Sequence, residues 1–190
     1  MANEYNAQNV GVGKPRLTGS VFRAPLGTTT PTDATSELDS DFKSMGYSSE
    51  DGLTNSNERE SEEIKAWGGQ VVASPQTSVK DTFKLTLIEV LNGDVLEAVY
   101  GDNSVSGDLT TGLALAVGMD EPDPSVWVFD MVVNRTLKRV VLPNAKVTEL
   151  GDIVYKDDEV IGYEVTLTAL PDTNGKSHYE YMVDEADVSE

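Results

Sequence analysis

The chain contains no cysteine. That excludes disulfide staples, thiol nucleophiles and cysteine-ligated zinc. It holds a single histidine, His178, in a segment that reads as a strand, so imidazole chemistry has no obvious second partner. Basic residues are scarce: 14 Lys and Arg stand against 33 Asp and Glu, for a formal net charge of −19. Such a surface repels phosphate backbones, and stable binding to nucleic acid or to an anionic membrane is not expected. No apolar run approaches the roughly 18 residues of a spanning helix. The opening residues are polar, carry Glu4 without a basic run, and do not read as a secretory signal. No Gly-x-Ser-x-Gly elbow occurs. Gly11-Val12-Gly13-Lys14 follows no strand, lacks the spacing of a phosphate loop and runs into Pro15. Two acidic clusters, Asp120, Glu121 and Asp123, and Asp157, Asp158 and Glu159, lack the spacing of a calcium loop and read as solvated turns. No catalytic, metal or cofactor site is expected.

What is present is short-period alternation. The 190 residues, 38% hydrophobic, suit a single domain with polar extensions. Residues 1–15 read as an N-terminal arm. A short strand follows at 17–24, stopped by Pro25 and Gly27. Residues 26–57 read as a long polar loop, with few apolar anchors beyond Leu38, Phe42, Met45 and Tyr47 and one short strand near 42–47. Loops of this length are usually functional. Glu58, Glu60, Glu62, Ile64 and Ala66 then alternate with Arg59, Ser61, Glu63, Lys65 and Trp67, which argues for a strand. Gly68-Gly69 and Val71-Val72-Ala73 extend it into a hairpin. Phe83, Leu85 and Leu87 share one face of the next strand, at 81–91.

The strongest helix signal follows, with Asp94 as N-cap, Glu97 three residues on and Gly101 as the stop. Two turns cannot hold themselves together in water, so the helix must pack on the sheet. Residues 102–124 read as an irregular excursion in which 113–117 pairs weakly. Further strands are expected at 126–133, 137–142, 144–150 and 159–170; in the last, Ile161, Tyr163, Val165, Leu167 and Ala169 share a face. Asn174-Gly175 marks a tight turn before a final strand with Tyr179, Tyr181 and Val183, and 184–190 is an acidic tail. The fold class is mainly β: a β-sandwich or partly open barrel with one short flanking α-helix. Trp67 and Trp127 both lie in apolar strand contexts and are expected in the core.

Four stretches carry a resemblance. They are 14–25 (Lys-Pro-Arg-Leu-Thr-Gly-Ser-Val-Phe-Arg-Ala-Pro), 38–52 ending in Gly-Tyr-Ser-Ser-Glu-Asp-Gly, 58–69 (Glu-Arg-Glu-Ser-Glu-Glu-Ile-Lys-Ala-Trp-Gly-Gly) and 81–90 (Asp-Thr-Phe-Lys-Leu-Thr-Leu-Ile-Glu-Val). In this order they resemble the major tail-tube proteins of long-tailed, siphovirus-type bacteriophages, the actinophage type in particular. The resemblance implies a virion subunit without catalysis, assembled in the bacterial host cytoplasm. Six copies would form a ring and rings would stack into a tube, with strands of each copy joined in one barrel around the lumen. The long loop and the N-terminal arm would reach adjacent rings, with Lys14, Arg16, Phe42 and Tyr47 as inter-ring candidates. A tape-measure protein would fill the lumen, genomic DNA would later pass without specific binding, and tail-tip, distal-tail and tail-terminator proteins would meet the ends.

On that reading Glu58, Glu60 and Glu62 are candidates to line the lumen, because one strand face collects three carboxylates. Arg135, Lys138, Arg139 and Lys146 cluster in an otherwise acidic chain, either as a solvated strand edge or as an inter-subunit contact. Two other classes stay open: a different virion sandwich such as a head-decoration or tail-completion protein, and a carbohydrate-binding or adhesion domain.

Overall fold

Period-two burial organises the chain described by the computed structural model, which covers residues 5–17, 19–119 and 121–184. In chain order the elements are β1 (Gly13–Pro15), β2 (Val21–Pro25), β3 (Lys43–Ser44), β4 (Thr54–Ser61), β5 (Ile64–Lys65), β6 (Val71–Ala73), β7 (Gln76–Leu87), α1 (Gly93–Tyr100), β8 (Val105–Ser106), β9 (Ala114–Leu115), β10 (Ser125–Val133), β11 (Thr136–Leu150), β12 (Tyr163–Ala169) and β13 (Tyr179–Asp184). Nine strands form one antiparallel sheet in the order β3-β2-β10-β11-β12-β7-β4, with β1 also on β10 and β13 also on β11. The expected mainly-β class with one short helix is what forms. Part of the expected N-terminal arm, residues 1–4, and all but Asp184 of the acidic tail lie outside the described residues.

The sheet curls on itself. Two strands separate β10 from β7, yet Phe129 and Phe83 stack across the interior with ring centroids 6.2 Å apart. A flat sheet would hold them about three strand spacings, ~14 Å, apart. The segment after β3 closes one end: Met45 N donates to Val21 O at 2.9 Å, Ser49 N to Thr86 O at 2.9 Å, and Ile88 N to Tyr47 O at 3.0 Å. The result is a curled, open barrel in which, among the described residues, β1 and the segment 48–53 border an opening, or seam, without pairing across it. Its interior holds Trp127, Phe129, Leu142, Val165, Leu167, Phe83, Leu85 and Leu87, as the alternation in β7 and β12 predicts. The Trp127 indole is fully buried and donates its Nε1–H to Ser125 Oγ at 3.0 Å.

Three sequence readings need correction. The segments 137–142 and 144–150 form one strand, β11, which runs through Pro143. The proline is tolerated because a bulge falls there: Trp127 pairs with Leu142 but Ser125 with Ala145, so no ladder bond needs the missing N–H. The helix cap is Asn92, whose Oδ1 accepts from Asp94 N at 3.0 Å. Asp94 instead joins Glu97 in holding Lys43 Nζ, at 2.6 and 3.4 Å, which ties β3 to α1. The strand expected at 17–24 starts only at Val21, because Gly19 (φ +126) turns the chain and leaves Leu17 fully exposed. In the excursion at 102–124 the weak pairing expected at 113–117 forms, as β9 joins β8 in a small hairpin with Val105 and Leu115 against the core.

Phe83 touches both halves of the barrel, so Phe83→Ala should lower unfolding free energy by about 3–5 kcal/mol in urea titrations. A loss below about 1 kcal/mol would contradict the curled core.

Candidate assembly surfaces

β4 and β7 continue as a two-stranded ribbon after they leave the body. Their pairing runs from Thr54–Lys84 through Asn57–Asp81 to Ser61–Gln76, and β5 and β6 extend it to a turn at 66–70. In β7 every second residue from Asp81 to Leu87 is buried, whereas every residue from 54 through 80 is exposed. A ribbon wet on both faces is marginal by itself, and this one also exposes Ile64, Val71, Val72 and Val79. Trp67, expected in the core, stands fully exposed at the tip with a relative exposure of 107%. Strand alternation identifies two faces but does not require that either be buried.

Glu58 sits opposite Lys80 and Glu60 opposite Ser78. Glu62 lies past the bulge that follows Glu60, with its backbone N donating to Pro75 O at 3.1 Å. All three carboxylates are exposed on the ribbon.

A buried carboxylate anchors the ribbon's root. Asp81, 2% exposed, accepts from Asn55 Nδ2 at 2.8 Å, Ser177 Oγ at 2.6 Å and His178 Nδ1 at 2.5 Å. Burial pushes the Asp81 carboxyl up, but the bonds from Ser177, Asn55 and His178 outweigh it and hold the group below its ordinary value. His178 is half-buried and stands edge-on to Phe83 at 5.2 Å. Its Nδ1 is committed to holding Asp81, so this is a structural latch between β4, β7 and the residues leading into β13.

A second buried charge fixes the opposite side. Asp130 and Arg139 face each other in register across β10 and β11. Arg139 donates Nε–H to Oδ1 at 2.7 Å and Nη2–H to Oδ2 at 2.8 Å, with the two residues 2% and 6% exposed for Arg139 and Asp130. Its Nη1 donates to the carbonyl oxygens of Ser36 at 2.8 Å and Asp33 at 3.3 Å. The first part of the long loop is therefore pinned onto its own subunit, with Pro31 and Ala34 buried. Asp33 shapes that turn: backbone N–H groups of Ser36 and Thr35 hold its carboxyl down at about 2.

The other basic candidates differ. Lys138 pairs with Glu180 at 2.9 Å, and Lys146 pairs with Glu121. Arg135 is exposed at the β10–β11 turn, next to Asn134 with φ +58. Of the inter-ring candidates, Lys14 is exposed in β1, and Arg16 lies 3.7 Å from Asp130 Oδ2. Phe42 is half-buried, and Tyr47 exposes its ring while its backbone N donates to Glu89 Oε1 at 3.0 Å. Sequence reasoning missed Asp81, Asp130 and the structural role of Arg139. The signal for the pair was legible, since Asp130 interrupts an apolar run and a turn at Asn134-Arg135 sets it opposite Arg139.

Among the described residues no helix is long and apolar enough to cross a membrane, and no His, Cys, Asp and Glu group is arranged to hold a metal. The fold is thus that of a mainly-β subunit with an extended exposed ribbon. The family described as phage tail tube protein matches the chain over residues 6–190, and the chain belongs to that family. It is a structural component of the phage tail that self-assembles, and not an enzyme. No curated protein matches the chain.

Removing Arg139 alone strands a buried carboxylate. Arg139→Met should cost about 3–5 kcal/mol in chemical unfolding, and Asp130→Leu combined with it should recover much of that loss. Equal instability in the single and double variants would contradict the strut. Asp81 gives a pH signature. Its folded-state pKa lies below the unfolded value, so its stabilisation is present above about pH 4 and lost as pH falls through the depressed folded value. The stability gap between wild type and Asp81→Asn, followed by thermal melts from pH 7 to pH 2, should therefore narrow on the acid side.

Proposed function

We propose that this tail-tube subunit forms hexameric rings that stack into a hollow conduit, which houses a tape-measure protein and then passes genomic DNA. The observation that carries the reading is the ribbon 54–80, exposed on both faces in a chain of a self-assembling family. Such a ribbon gains its missing contacts from neighbours. Within the described residues the outer edges of β4 and β13 are unpaired, and unpaired edges are templates for strand addition by another copy. Joined ribbons would make one continuous barrel around the bore, of the type built by siphovirus-like tails.

Charge supports the conduit. Each copy carries −19, so a bore lined by Glu58, Glu60 and Glu62 offers a duplex no place to adhere. Screening acts over roughly 8 Å at physiological salt, so only groups close to the DNA count. Arg135, exposed at its turn, fits an inter-subunit contact; Lys138, Arg139 and Lys146 spend their charge within the subunit. Lys14, Phe42 and Tyr47 remain the inter-ring candidates, with Arg16 held beside Asp130. Tail-tip, distal-tail and tail-terminator proteins would cap the ends, and assembly would take place in the host cytoplasm.

Negative-stain electron microscopy of the purified chain, with and without a tail-tip seed, tests the reading. Six-fold rings or hollow tubes are expected, and monomers that persist even with the seed contradict it. Replacing Glu58, Glu60 and Glu62 together by Lys should leave tube assembly intact and slow DNA ejection; unchanged ejection kinetics would remove these residues from the bore.

A further inference from the structure

The exposed Trp67 is held by a defined turn. Ala66 N donates to Gln70 O at 2.8 Å and Gly69 N to Ala66 O at 2.9 Å. Gly68 and Gly69 both sit at positive φ, 108 and 90, where a side chain would strain the backbone. The turn therefore reverses tightly and presents the indole outward. Trp and Tyr on rigid supports are the usual anchors of protein interfaces.

A matching recess lies elsewhere on the same chain. The unpaired seam of the barrel opens as a cleft of about 530 Å³ between β1–β10 and the segment 48–53. Leu85, Phe129 and Met131 line it, and Lys14, Glu50 and Asp51 stand among its polar groups. Its volume falls in the ~300–1,000 Å³ range of pockets that hold small molecules, room enough for an indole, and it has an apolar wall with a few polar groups. The charges complement those of the ribbon tip. Lys65, two residues from Trp67, is ion-paired with Glu63 within the tip at 3.6 Å; Glu62 precedes it, against Lys14 of the cleft, which has no carboxylate partner among the described residues.

We propose that the Trp67 turn of one copy seats in the barrel seam of a second copy. The plug is not in its own seam, since Trp67 is fully exposed. The ribbon continues ten residues from Asn57, the last rung at the body, to Trp67, and at ~3.3 Å per residue it reaches about 30 Å. A plug and a socket on different surfaces of one chain make a head-to-tail contact, which closes into rings or propagates as a stack. The proposal rests on the tail-tube reading and names the contact that would serve it.

The absence of cysteine gives a clean background for the test. A chain with Ala66→Cys is mixed with a chain carrying Ser49→Cys, assembly is induced on a tail-tip seed, and a short bis-maleimide is added. A covalent dimer of the two variants is expected in assembled material. Trp67→Ala should raise the critical concentration for assembly at least about tenfold. The fluorescence difference between wild type and Trp67→Phe should shift to the blue on assembly, as the indole leaves water. Tubes that form without the cross-link, or form from Trp67→Ala at the wild-type concentration, overturn the docking and leave the tail-tube role standing. A chain that never assembles, even when seeded, overturns that role and the docking with it.

Discussion

The buried Asp130–Arg139 pair ties the long loop to β10 and β11. Burying two charges is costly, and their attraction repays it only when every donor and lone pair is used. Here both Asp130 oxygens accept from Arg139, and its Nη1 reaches the carbonyls of Ser36 and Asp33. The backbone of Asp130 adds two more ties, accepting from Arg16 N at 3.3 Å and donating to Ser20 O at 2.8 Å. The charge pair thereby ties β10 to β11 and fixes the fold of the long loop, while the backbone of Asp130 sets the path from β1 into β2. An apolar pair in its place could bury as much surface without holding the loop carbonyls of Asp33 and Ser36.

The body and the ribbon solve opposite problems. Inside the barrel, alternate residues of β7 and β12 meet aromatic and branched partners, and the curl brings Phe83 against Phe129. Beyond Asp81 the same strand has nothing to pack on, and the latch of Asn55, Ser177 and His178 marks the boundary. Holding the root rigidly matters for a ribbon of this length, because a small rotation at its base moves the tip by many ångströms. A polar latch resists such rotation better than apolar contact, since hydrogen bonds are directional.

Regular burial was legible in the sequence, and contacts between distant segments were not. Phe83, Leu85 and Leu87, and Tyr163, Val165, Leu167 and Ala169, lie on the buried faces that their spacing implies. The two-turn helix was legible from its acidic start and the Gly101 stop, although Asn92 rather than Asp94 caps it, because either side chain suits a cap and the backbone decides which is in place. Pro143 hid the continuity of β11, since a ladder tolerates proline only at a bulge that no local pattern announces. Trp67 misled for a different reason: hydrophobicity foretells removal from water, but not whether the chain's own core or another molecule provides it. The carboxylates of the ribbon and the basic cluster could be located by sequence, while the partner of each charge depends on strands that meet only in three dimensions.

Charge and shape bear together on how such a subunit can be both soluble and ready to assemble. Copies at −19 repel one another at distances up to about a Debye length, which opposes indiscriminate association through the exposed apolar residues of the ribbon. Close contact must therefore come from places where opposite charge or apolar surface is matched locally. The ribbon combines both kinds of group within a few residues, Lys65 and Trp67 on one side of the turn and four glutamates behind them. Repulsion acting over the whole surface and attraction confined to one matched site disfavour random clumps far more than an ordered neighbour. In a subunit of a self-assembling family, that difference separates assembly from aggregation.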